Sequence, residues 1–149
     1  MKSLRSRFER FCFRHRDKGI PNLMLYITIG NAIVLLLSLF NGGNAVYNLL
    51  CFDKAKILQG QVWRLVSSSL LHIGTWHIIS NITATLIVGY AVESQLGTAK
   101  TALCYIVATF VSGLFMSFVY KLQEGEGAST GIYGLIAVFV MLAIKNGTV

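Results

Sequence analysis

From Leu23 to Phe40 the chain runs eighteen residues without a charged side chain. As an α-helix that run is about 27 Å long, close to the thickness of a bilayer's hydrocarbon core. Three more apolar runs follow, and the resulting predicted spans are 23–40, 70–92, 101–120 and 129–144. The composition agrees: 54% of the 149 residues are hydrophobic, 13% are charged and one is proline. That is more apolar than a soluble domain normally is. The fold class expected is all-α, a polytopic transmembrane helical bundle.

Charge sets the orientation. Residues 1–20 carry Lys2, Arg5, Arg7, Arg10, Arg14, Arg16 and Lys18 against Glu9 and Asp17, so most of the formal net charge of +7 lies there. A basic flank before an apolar span reads more simply as a cytoplasmic anchor than as a nucleic-acid arm. Residues 1–20 are therefore expected to form a cytoplasmic segment, with 2–18 against an anionic inner leaflet and 21–149 as the membrane domain. Phe8, Phe11, Cys12 and Phe13 suit one face of a short amphipathic helix, and a disordered tail fits equally well. The first apolar run is longer than a signal-peptide core, so an uncleaved span in the cell membrane is expected. Cys12, Cys51 and Cys104 are odd in number and unpatterned, which gives neither a disulfide framework nor a metal site.

Residues 41–70 are too long for a plain connection, and the first outer loop they form contains Trp63-Arg64. A Trp beside an Arg suits the membrane interface, with the ring at headgroup level and the guanidinium reaching phosphate. The second span is unusual in carrying His72, His77 and Asn81, since polar groups in a span normally face the bundle interior. His77, Asn81, Thr85 and Gly89 are four apart and share one helix face. His72 falls off that face, in the turn before the helix. Glu93 closes the span, and Glu93 to Lys100 is expected to be a short inner loop containing Gly97. A hydrogen-bonded pair that only joins helices would account for the two polar residues as well.

The fourth span opens on Gly127-Ala128-Ser129-Thr130-Gly131. A helix starting there aims unpaired N–H groups and the positive end of its dipole at Ser129. Close packing through Gly127 and Gly131 is the alternative use of such small residues. His77 lies 16 residues before Glu93, and Ser129 lies 16 before Lys145. With both closing charges at the inner surface, both side chains sit about 24 Å above it, submerged near the outer boundary of a core about 30 Å thick. A serine, an imidazole and an amide at one level fit acyl transfer: Ser129 attacks a carbonyl, while its own N–H, His77 and Asn81 donate to the oxyanion. The G-x-S-x-G nucleophile elbow is excluded, because no acid or histidine follows Gly131. Zinc is excluded by the five-residue spacing of His72 and His77 and the absence of a nearby carboxylate.

Taken together, Trp63-Arg64, His72-x4-His77-x3-Asn81, Glu93-x3-Gly97 and Gly127-Ala128-Ser129 resemble the rhomboid intramembrane serine proteases over roughly residues 23–145. The resemblance implies Ser129 as nucleophile, with His77 and Asn81 lining the oxyanion site. Trp63, Arg64, His72, Glu93, Gly97, Gly127 and Gly131 would be structural. It implies transmembrane protein substrates, no cofactor and no nucleic acid. Thr130 stands where many members have glycine. Rhomboids have six core helices and carry the general-base histidine on the sixth, whereas the histidines here are His15, His72 and His77. The chain is therefore expected to be a rhomboid-like bundle truncated after its fourth span, without its base and inactive alone. A four-span relative that binds transmembrane segments without cutting them is the main alternative. An unrelated scaffold whose polar stripe only packs is the third.

Overall fold

A computed structural model of the chain describes residues 22–40, 44–72, 74–119, 124–125 and 129–146. The expectations for residues 1–20 and for Gly127 lie outside that set. The first span is α1 (Leu23–Phe40), matching the uncharged run end to end. Its Leu25, Ile29, Ile33, Leu36 and Leu37 are exposed, while Met24 and Asn31 are buried. That is the pattern of a helix whose apolar surface meets lipid rather than protein.

The first outer loop is folded. It contains α2 (Asn44–Leu50), a two-residue strand β1 (Phe52–Asp53), α3 (Lys54–Leu58), α4 (Arg64–Ser67) and a 3-10 turn at Ser68–Leu70. Asp53 caps α3, its Oδ1 accepting from Lys56 N at 3.0 Å and its Oδ2 lying 2.9 Å from Lys56 Nζ. Such an N-cap satisfies a backbone donor that the helix itself cannot.

The second span begins at Thr75 rather than Leu70 and ends at Leu96 rather than Val92. Leu70 and Leu71 are apolar, but they belong to the connection that closes at Gly74, whose φ of 86° suits only glycine. The span comprises α5 (Thr75–Ala84), a π turn (Thr85–Gly89) and α6 (Tyr90–Leu96). The inner loop expected at 93–100 reduces to Gly97 (φ 80°), and α7 (Thr98–Phe118) follows at once. Glu93 continues the helix because its carboxylate is fully engaged inside the protein, as described below. A two-residue strand β2 (Glu124–Gly125) pairs antiparallel with β1, a small departure from all-α. The chain then enters α8 (Ser129–Lys145), which ends one residue beyond the expected span.

Among the described residues three helices are long and apolar enough to cross a membrane: Leu23–Phe40, Thr75–Leu96 and Thr98–Phe118. The apolar α8 is slightly shorter, at 17 residues. Between spans, small and polar residues do the packing. Thr101, Tyr105, Thr109, Gly113 and Ser117 are the buried residues of α7 and recur every four positions. Ridges with that spacing let a neighbouring helix approach closely. Gly131 of α8 lies over Tyr105 and Thr109, Gly134 over Ala108, and Gly113 receives Leu65 from the outer loop. Met24, Val92, Tyr105 and Leu135 form the apolar centre where α1, α6, α7 and α8 meet.

Candidate active site

Helices α5 and α8 pack against each other, and α8 also packs along the π turn. Both run in the same direction, because α7 between them returns the chain across the bundle. Their first turns therefore share one end of the molecule. Ser129 is the first residue of α8 and His77 the third of α5. Both are half-buried, and Asn81 below His77 is buried.

The stripe His77, Asn81, Thr85, Gly89 grows steadily more enclosed toward the inner end, with Thr85 and Gly89 fully buried. In a pure α-helix each four-residue step overshoots a turn by about 40°. The wider π turn takes up part of that drift and holds the four residues on one face. Single π turns are frequent at functional sites.

His72 lies before the span, between Leu71 and Gly74, and its ring meets that of His77 edge to face at a centroid distance of 5.6 Å. Burial holds the His72 pKa below its ordinary value. The Leu70 backbone opposes that shift and the neighbouring His77 reinforces it. His72 is thus a neutral ring at pH 7, packed against the outer side of His77.

Arg64 does not reach lipid phosphate. It is 3% exposed and turned into the outer loop, where Nε donates to Gln61 Oε1 at 2.7 Å and Nη2 to the Asn48 carbonyl at 2.8 Å. Its Nη1 donates to the Cys51 carbonyl at 2.9 Å. The carbonyls at the end of α2 have no partner in their own helix, and a guanidinium fork fits several acceptors at once. Trp63 beside it is half-exposed, as an interfacial ring would be. Lys54 donates to the Ser117 carbonyl near the end of α7 at 3.0 Å, which fastens the loop to the bundle.

Glu93 does the equivalent work at the other end. Its Oε1 accepts from Leu23 N at 3.1 Å and from Thr98 Oγ1 at 2.9 Å, and its Oε2 from Met24 N at 3.2 Å. A carboxylate thus occupies the N-terminus of α1, where dipole and free N–H groups favour an anion. Glu93 is accordingly buried inside the protein at the inner end of the span, level with the start of α1. Gly97 permits the one-residue reversal beside it.

Sequence reasoning missed Asn31, the lone amide in the uncharged first span; its polarity was the available signal. Of the four-residue ladder on α7 it singled out Gly113 alone, as a contact point beside Ala108 and Ser112. Among the described residues no group of three His, Cys, Asp or Glu side chains is placed to hold a metal ion.

Comparison with known proteins agrees with this architecture. The family described as "Rhomboid domain" matches residues 59–148. "Rhomboid protease GluP" of Bacillus subtilis (strain 168) is 32% identical over 125 residues, covering 82% of this chain and 24% of that protein. "RHOMBOID-like protein 1" of Arabidopsis thaliana is 27% identical over 89 residues, 60% of this chain and 23% of that protein. "Inactive RHOMBOID-like protein 8" of the same plant is 26% identical over 93 residues, 62% of this chain and 26% of that protein. The chain spans about a quarter of the length of these relatives. With its apolar helices and this family match, the chain is a multi-pass membrane protein belonging to the rhomboid family.

Proposed function

We propose that the chain carries the nucleophile and oxyanion site of an intramembrane serine endopeptidase acting on transmembrane protein substrates. Ser129 attacks the scissile carbonyl from the start of α8, and its N–H, the His77 imidazole and the Asn81 amide donate to the resulting oxyanion. The observation that carries this reading is the placement of His77 and Asn81, one turn apart, on a helix packed beside the one that Ser129 opens. Arg64, Trp63, His72, Glu93, Gly97, Gly127 and Gly131 serve as its scaffold. The N-terminus lies in the cytoplasm, with residues 2–18 on the anionic leaflet of the cell membrane.

The serine proton needs a base. No histidine follows Ser129 in these 149 residues, and His77 is assigned to the oxyanion. The 149-residue polypeptide by itself is therefore expected not to cleave at a useful rate. Joined to further rhomboid helices carrying a histidine it should cleave, and Ser129→Ala should abolish that cleavage. In the joined protein Asn81→Ala should lower kcat about 10²–10³-fold, as for loss of one oxyanion donor. The assay is release of a tagged transmembrane substrate in liposomes. If the 149-residue polypeptide cleaves alone and Ser129→Ala stops it, one of the residues already named is the base and this account is wrong. Binding of transmembrane segments without cutting is the second reading. It is favoured by the likeness to an inactive rhomboid-like protein, and it predicts capture of the substrate with no product from the joined protein.

A further inference from the structure

Met24 and Asn31 are seven residues apart on α1, two helical turns, and are 1% and 2% exposed. Met24 packs against Gly89, and its N–H binds Glu93, so α1 and the second span run antiparallel with Met24 beside Gly89. Climbing seven residues along α1 raises the chain about 10 Å. The same rise back from Gly89, allowing one extra residue for the π turn, reaches Asn81. By the same count Thr28 falls within about one residue of Thr85. Two polar rungs therefore stand between spans one and two in the membrane interior.

Thr28 Oγ1, Asn31 Oδ1, Asn81 Nδ2 and Thr85 Oγ1 are all sealed from solvent, and none hydrogen-bonds to a protein group. Leaving such atoms unsatisfied in an apolar interior is costly. Their chemistry is complementary: the Asn81 NH₂ donates, the Asn31 carbonyl accepts and the two hydroxyls do either. What would join them is a small molecule that donates and accepts in several directions, and a buried water makes about three such bonds. An NH₂ group in the set disfavours a cation.

We propose that these four residues form a buried hydration site between spans one and two, in which Asn31 positions the Asn81 amide through ordered water. A water held there fixes which way the Asn81 NH₂ points. Its consequence for catalysis rests on the assignment of Asn81 to the oxyanion site, but the hydration site itself does not.

The test uses the 149-residue chain, labelled with ¹⁵N-asparagine, in lipid nanodiscs. The expected result is cross-relaxation between the Asn81 side-chain NH₂ and water, with slow exchange of that water. Asn31→Leu and Thr85→Val should each abolish the cross-peak and shift the Asn81 NH₂ signals. Thr85→Ser, which keeps the hydroxyl, should retain it, as should the lipid-facing control Leu36→Val. Absence of the cross-peak in the unaltered chain overturns the proposal, and that arm needs no variant to fold. Persistence of the peak unchanged in both Asn31→Leu and Thr85→Val also overturns it. A failure of the oxyanion assignment would appear only as unaltered cleavage by Asn81→Ala in the joined protein, and would leave the cross-peak in place.

Discussion

Replacing Glu93 with alanine should be among the most damaging single changes in the chain. The carboxylate accepts three hydrogen bonds, two from the first N–H groups of α1 and one from Thr98, and Glu93 is 2% exposed. Alanine orphans the buried Met24 N–H, at about 1–3 kcal/mol. The partly buried Leu23 N–H and the Thr98 hydroxyl lose charge-assisted partners for somewhat less, since both can turn toward other acceptors. Loss of a negative charge at the α1 N-terminus adds about 0.3–1 kcal/mol. The whole is about 3–5 kcal/mol, or a fall of roughly 6–20 °C in Tm at the usual 2–4 °C per kcal/mol for a chain of this size. Glu93→Gln keeps one carbonyl oxygen but turns an NH₂ toward a donor, so it should recover about half the loss. Thermal melts in detergent, followed by tryptophan fluorescence, read both variants against the unaltered chain. If Glu93→Ala melts within about 2 °C of the parent, the carboxylate is not what joins α1 to the second span, and the reasoning fails.

Arg64→Lys should cost about 2–3 kcal/mol in the same melts, because one ammonium cannot reach Gln61, Asn48 and Cys51 together. A Cβ on Gly131 would stand 2.5 Å from the Tyr105 ring and 2.7 Å from Thr109 Oγ1. Gly131→Ala should therefore destabilise by about 1–3 kcal/mol and Gly131→Leu by more, whereas Leu142→Phe on the half-buried part of α8 should stay within about 0.5 kcal/mol. Asp53 has its pKa held below the ordinary carboxylate value of 3.8 by Lys56, first through the side-chain contact and then through the backbone N–H. Its contribution is thus complete above the unfolded pKa and is lost as pH falls through the lower folded value. Hydrogen exchange at the Lys56 amide should accelerate in that acid window, and Asp53→Asn should flatten the dependence.

How much of this was legible in the sequence depends on what each residue is used for. Leu23–Phe40 was readable to the residue because lipid demands an uninterrupted apolar run and nothing else competes there. The partners of Glu93 and Arg64 were not legible, for a common reason. Each is a charge that hydropathy sends to the surface, yet each is drawn inward by backbone groups that helix ends leave unpaired, and no pattern of side chains announces those groups. Leu70 and Leu71 misled in the opposite sense: they are apolar enough for a span, but Gly74 sets where the helix starts. That His77, Asn81, Thr85 and Gly89 share one helix was legible from spacing, since helices convert sequence intervals directly into faces. The folded outer loop was not, because it is held by bonds to carbonyls rather than by a hydrophobic period.

The π turn at Thr85–Gly89 also decides where this helix can bear a change in length. It amounts to a one-residue insertion lodged in an otherwise α-helical rod. Deleting Leu86 would let the rod relax to a continuous α-helix, at a gain in local hydrogen-bond regularity, and would leave its two halves close to their present phase, because the wide turn already takes up the surplus residue. Glu93 would keep its grip on α1, and His77 and Asn81 would stay beside α8. The surplus residue is thus slack that a one-residue deletion can consume, whereas an insertion elsewhere in the span, with no such turn to take it up, should swing the two halves about 100° apart.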